Sequence, residues 1–217
     1  MKLYHGSKSG IAGKINPYKS RTTCDFGKGF YLGDMPDQPK GLIASREYGK
    51  YYEIEYDISS LKILEFKEIY QEQLDWALFI AYNRNPALFE DYNILKQKYA
   101  AYNTSYDVII GLIADDSMMN TLNRFFAGES TDKVMIDCLK HVKLGNQYVL
   151  KTEEACKSDR VKIITERELE PYEKKAAQAD SAQRLRQMDS IINMYSKKYR
   201  RDTKAKYIDE IMEEWNK

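Results

Sequence analysis

The chain has 217 residues, 43% hydrophobic and 31% charged, a balance that fits a folded chain with a sizeable core and excludes a disordered one. Thirty-four basic against 33 acidic side chains leave a net charge of +1, which excludes a generally basic nucleic-acid binder and an acidic tail protein. No apolar run approaches the ~18 residues that cross a bilayer, and two histidines without a Cys-x-x-Cys pair exclude a structural zinc site, so neither a membrane partner nor a metal is expected.

The chain opens on MKLYHGSKSG, which has no apolar h-region and is not expected to act as a signal peptide. A short strand is expected over residues 2–5, and an aromatic one over 29–32. YYEIEYD at 51–57 alternates with period two, as a half-buried strand does, and 61–66 alternates as well. A helix over 67–83 follows, with Trp76, Phe79 and Ile80 at core spacing, then a second over 86–101. DVIIGLI at 107–113 is a continuous apolar run, which suits a strand buried on both faces. Helices over 117–126 and 131–141 and strands over 147–151 and 160–165 complete the series. Irregularly spaced strands without regular β-α-β alternation predict an α+β fold.

All 11 glycines lie at or before Gly145, and after Pro171 there is neither Gly nor Pro. The chain is therefore expected to divide into a mixed domain, residues 1–167, and a helical extension, 168–217, that reads as uninterrupted helix. Cys24, Cys138 and Cys156 are odd in number and widely spaced. They argue against a disulfide framework and for a reducing, cytoplasmic location.

Three short stretches carry the chemistry. Tyr4-His5-Gly6-Ser7 ends the first strand, where glycine lets a ligand approach the backbone closely. Phe26-Gly27-Lys28-Gly29-Phe30-Tyr31 leads into the second; it lacks the Lys-Ser/Thr ending of a Walker loop. Asn146-Gln147-Tyr148-Val149 begins a later one. Singly, each reads equally as a turn or a strand end.

In this order, the three resemble the motifs of the ADP-ribosyltransferase superfamily, on the diphtheria-toxin and poly(ADP-ribose)-polymerase branch with its His-Tyr-Glu triad. The resemblance spans roughly residues 2–165, and points to a bacterial subgroup with Gln in the third motif and an Asp-Val-Ile-Ile-Gly…Ala-Asp-Asp segment, as at Asp107–Gly111 and Ala114–Asp116. It implies a split two-sheet NAD-binding core with inserted helices, and NAD as substrate. It implies that His5 bonds the adenosine ribose, that the Gly6 backbone holds the nicotinamide carboxamide, and that Ser7 and Gly29 line the same cofactor site. Tyr31 would pack beside the nicotinamide. Ser45-Arg46-Glu47-Tyr48 has the spacing of the Ser-x-x-Tyr pair that completes the pocket on the following helix; Tyr48 reads equally as a tyrosine on a helix face.

Gln147 stands where the family has glutamate, and keeps a hydrogen-bond acceptor without a charge. That argues against long-chain polymer synthesis. Gly145 stands where arginine-modifying relatives carry an acid, so an arginine acceptor is not supported. Asp115 and Asp116, after the buried strand, have two readings: a base for the acceptor, or the cap of the next helix.

In the extension, Leu185, Met188, Ile191, Ile192, Tyr195 and Tyr199, then Ile208, Ile211, Met212 and Trp215, form an apolar stripe. Between the two blocks stand Lys197, Lys198, Arg200, Arg201, Lys204 and Lys206 among tyrosines, which reads as a solvated face or as a nucleic-acid contact. The expected function is a mono-ADP-ribosyltransferase for a macromolecular acceptor, protein or nucleic acid. The family's habits suggest a toxin or defence effector held by an antitoxin partner. The alternatives are an NAD glycohydrolase and a catalytically silent NAD- or ADP-ribose-binding module.

Overall fold

A computed structural model of the chain describes residues 1–141 and 144–217. It is a mixed α/β fold with one seven-stranded sheet in the order β4-β5-β6-β2-β1-β3-β7. The strands are β1 (Lys2–Ser7), β2 (Phe30–Gly33), β3 (Lys50–Tyr56), β4 (Ile63–Glu65), β5 (Val108–Leu112), β6 (Asn146–Leu150) and β7 (Val161–Glu168). Among the described residues, only β4 and β5 pair in parallel; the other neighbours are antiparallel. The helices among the described residues are α1 (Asp37–Ile43), α2 (Tyr70–Arg84), α3 (Asn93–Ser105), α4 (Asp116–Phe126), α5 (Asp132–Leu139), α6 (Pro171–Tyr199) and α7 (Ile208–Trp215).

The expected pair of separate sheets is corrected: hydrogen bonding joins all seven strands. The joint is narrow. β1 and β2 meet at the single register pair Tyr4↔Gly33, whereas β1 runs beside β3 from Lys2↔Glu55 to Ser7↔Lys50. Beyond Tyr4, β1 and β2 diverge, and a side chain takes over the bonding there, as described below.

Strand alternation sends successive side chains to opposite faces. Leu3, Leu32, Tyr52, Ile54, Val108 and Leu150 build one core under the loops that carry Ile11, Ile15 and Cys156. Tyr31, Ile109 and Val149 turn to the other face, where Phe26, Trp76, Phe79 and Leu122 form the larger core with the helices.

The expected helix over 86–101 is a short 3-10 turn, Pro86–Phe89, followed by α3. The unbroken C-terminal helix is also corrected. α6 starts where expected, with Pro171 in its first turn and a reciprocal Glu170/Glu173 capping box. It stops at Tyr199, because the following turn bonds elsewhere. Asp132 N–H donates to the Lys206 carbonyl, Lys206 N–H to Asp132 Oδ1, and Lys133 pairs with Asp202 at 2.7 Å. These long-range bonds override the local helix propensity. Met188 and Ile192 of α6 pack on Val134 and Cys138 of α5, and Ile208, Ile211 and Met212 of α7 enter the larger core. The apolar stripe therefore covers the chain's own helices.

The basic block is partly neutralised. Lys198 pairs with Asp137 at 3.0 Å, Tyr199 donates to the same carboxylate, and Lys206 pairs with Glu214. The Tyr195 hydroxyl meets His141 Nε2 at 2.8 Å. Tyr195 and Tyr199 thus face α5, while Lys197, Arg200, Arg201 and Lys204 face solvent. No helix is long and apolar enough to cross a membrane among the described residues.

Candidate functional site

The three motif strands, far apart in the chain, are consecutive in the sheet: β6, β2, β1. Gly33 of β2 pairs with Tyr4 on one side and Gln147 on the other. His5, Tyr31 and Gln147 thereby come within a few residues of one strand crossing.

His5 fills the divergence of β1 and β2. Its Nδ1 lies 2.7 Å from the Tyr31 carbonyl oxygen, a bond that needs a proton on Nδ1 and leaves Nε2 as an acceptor. The ring sits 4.4 Å from Phe30 and 5.9 Å from Tyr52, centroid to centroid. Burial pulls its pKa down to about 4, against the smaller opposite pull of the Tyr31 carbonyl, so the ring is neutral at pH 7.

Gly6 lies under α1. A Cβ there would stand 2.6 Å from the Pro39 carbonyl oxygen and 3.2 Å from Ile43 Cγ2, so only glycine lets the helix close on the strand. The Ser7 hydroxyl is engaged locally, donating to the Gly10 carbonyl at 3.0 Å. Gly29 packs against Val149 and Lys151, and its N–H donates to Ser20 Oγ at 2.9 Å.

The Tyr31 hydroxyl donates to the Gly27 carbonyl at 2.7 Å and accepts from Phe26 N–H at 3.0 Å. Burial holds its pKa well above the ordinary phenol value. It is thus a neutral strut for the Phe26–Gly29 loop. Gly27 has φ +67°, and a Cβ there would meet Asn83 Oδ1 and Asn103 Oδ1, each at 2.9 Å.

Gln147 is 5% exposed, and its Nε2 donates to the Leu112 carbonyl at 3.1 Å. Beside it stands Asp25, whose carboxylate accepts from Arg84 Nε at 2.8 Å. Burial pushes the Asp25 carboxyl up, and Arg84 and the Gln147 amide pull it back. A carboxylate therefore lies next to the uncharged Gln147. Asp25 and Arg84 are 59 residues apart, so no sequence spacing could have joined them.

A chain of amides anchors this loop. Lys151 Nζ donates to the Phe26 carbonyl and, at 3.1 Å, to Asn103 Oδ1. Asn103 donates to Asn83 Oδ1 at 2.8 Å, and Asn83 donates to the Asp25 carbonyl at 3.1 Å. None of Asn83, Asn103 and Lys151 was singled out by motif or periodicity.

Other expected site residues stand apart. Asp115 is the N-cap of α4: it accepts from Met118 N–H at 3.0 Å and Ser117 Oγ at 2.6 Å, and its second oxygen takes Arg184 Nε at 3.0 Å. The geometry fits the reading of Asp115 as the cap of the next helix, since the helix end and the α6 guanidinium occupy its acceptors. Asp116 is exposed in the first turn of α4. Ser45 and Tyr48, expected on a helix, lie instead in the turns after α1. That segment is held toward α6, where Gln178 donates to the Ala44 carbonyl at 3.1 Å and Lys174 to the Arg46 carbonyl at 3.2 Å. Tyr48 is 68% exposed. The helix that closes on the His-Gly strand is α1 instead. Among the described residues, no group of His, Cys, Asp and Glu has the arrangement of a metal site.

A family model described as "Protein of unknown function (DUF3990)" matches residues 1–160. No curated protein and no solved structure matches the chain.

Proposed function

The chain belongs to the DUF3990 family, a family of unknown function, and we propose that it is a mono-ADP-ribosyltransferase that uses NAD. One observation carries this reading: the three motif strands are sheet neighbours, with Gly33 paired to both Tyr4 and Gln147. Residues dispersed over the first two thirds of the chain thus converge where β1 and β2 part.

The reaction would break the bond between nicotinamide and C1′ of its ribose. The bonding electrons leave with nicotinamide, which departs neutral, and positive charge develops on the ribose. An acceptor nucleophile then bonds to C1′ and loses its proton. His5 supports this chemistry as a neutral ring with Nε2 available to a ribose hydroxyl. Gln147 supports it through its Oε1, because its amide nitrogen is turned to the Leu112 carbonyl. Asp25, in its ionised form, adds negative charge near the reacting centre, acting through Gln147, and Arg84 opposes the upward pull of burial on its carboxyl. With Asp115 engaged in its cap, the acceptor's proton passes to solvent.

The test is incubation with NAD labelled in the adenylate half. Release of nicotinamide together with label on a macromolecule is expected. Release without transfer would reduce the activity to NAD hydrolysis, and no release would refute both.

A further inference from the structure

Beside the Phe26–Gly29 loop lies a cavity of about 420 Å3, lined among others by Tyr18, Lys28, Tyr82, Asn83, Asn103 and Lys151. Its size falls in the usual range of small-ligand sites, roughly 300–1,000 Å3. No acidic side chain lines it among the described residues.

Lys151 is the unexplained group. It is 7% exposed, and its bonds run to the Phe26 carbonyl and the Asn103 amide, with no carboxylate partner among the described residues. Burying an ammonium without a counter-charge is costly. A loop tether alone does not need the charge, because a neutral amide also offers two protons to two carbonyl oxygens. The ammonium has a third proton, and Lys28 brings a second cation to the same cavity. Burial draws the Lys151 pKa down to about 8. The remaining walls include two tyrosine rings and the Pro86 ring, surfaces suited to a flat base and a sugar.

We propose that this cavity binds the phosphate group of a nucleotide acceptor, with Lys151 and Lys28 holding the phosphate and Tyr18 and Tyr82 walling the nucleoside. The cavity adjoins the reacting centre: Gly27, in its lining, accepts from Tyr31, and Asn83 donates to the Asp25 carbonyl. The word "acceptor" rests on the proposed transferase; the phosphate site does not.

The experiment is calorimetric titration of the full chain with 5′-AMP and with adenosine at constant ionic strength, with and without saturating NAD. Saturable AMP binding is expected, unchanged by NAD and much weaker for adenosine. Lys151→Met and Lys28→Glu should each weaken it ~10-fold or more, as expected for loss of a charge-assisted bond. Lys28 is exposed, so its variant reads the site even if Lys151→Met unfolds. Absence of saturable AMP binding, or equal binding by wild type and the folded variants, overturns the proposal. Displacement of AMP by NAD overturns the acceptor role and gives the phosphate site to the dinucleotide. AMP binding by a chain that binds no NAD upholds the phosphate site and removes the transferase reading instead.

Discussion

His5 Nδ1 lies 2.7 Å from the Tyr31 carbonyl oxygen, where β1 and β2 no longer exchange backbone bonds. One imidazole thus closes a gap in the ladder and keeps its second nitrogen as an acceptor. Burial of the ring couples the folded site to the neutral form of this histidine, against the smaller opposite pull of the Tyr31 carbonyl.

That coupling has a pH signature. The folded-state pKa of His5 is about 4, below its ordinary 6.5. A depressed pKa contributes stability above 6.5 that is lost as pH falls from 6.5 toward 4, because the unfolded chain binds the proton first. The loss amounts to about 3 kcal/mol across that window. His5→Leu should flatten this part of a Tm-against-pH curve. An unchanged slope in the variant would remove His5 as its source.

Gln147→Ala should lower the rate of nicotinamide release ~10²–10³-fold, as for loss of one oriented polar group. NAD binding should fall far less, since the interaction strengthens in the transition state. Gln147→Glu should keep the geometry and raise simple NAD hydrolysis. Full activity in the alanine variant would remove Gln147 from the reaction.

Asp25→Asn separates positioning from packing. The side chain keeps its size and loses its charge beside Gln147 and Arg84. Nicotinamide release should show a kcat lower by ~10-fold or more with KM for NAD nearly constant. A rise in KM alone would place Asp25 in ground-state binding instead.

Asp115→Ala tests the cap against the base. Loss of the α4 cap should cost ~0.5–2 kcal/mol in urea unfolding, and nicotinamide release and transfer should remain. Abolished transfer with unchanged stability would restore Asp115 as a base.

Truncation after Arg200 removes α7 and uncovers the surface that Ile208, Ile211 and Met212 bury. Each such side chain is worth ~1.5–3 kcal/mol, so the loss approaches the ~5–15 kcal/mol that hold a typical domain. The truncated chain should aggregate. A soluble truncated chain with the Tm of the full chain would show that the helix serves a partner and not the core.

Much of the fold was legible because it is written in local periodicity. YYEIEYD alternates and forms β3; the VIIGL of DVIIGLI has no polar side chain and forms β5, between β4 and β6. The expected strands over 51–57, 61–66 and 107–113, read from alternation or an apolar run, and the four others all form, with ends shifted by a residue or a few. The Asp115 cap was legible as one of two readings, since Asp before a helix has a local partner, the N–H of Met118.

What sequence alone determined, then, was which residues form strands and helices, since period-two and 3.6-residue patterns act over a few neighbours. Tertiary structure alone decided the joints. The single sheet depends on one register pair, Tyr4↔Gly33, between strands separated by a long loop. The break after Tyr199 depends on bonds from residues 202 and 206 back to Asp132 and Lys133, and local propensity contains no trace of them. The site is of the same kind. The Asp25–Arg84 pair beside Gln147 and the Lys151–Asn103–Asn83 chain join side chains from α2, α3, the residue after β6 and the loop before β2. Hydrogen bonds and ion pairs between such distant positions have no periodicity, and only packing of the elements brings their ends within 3 Å or so.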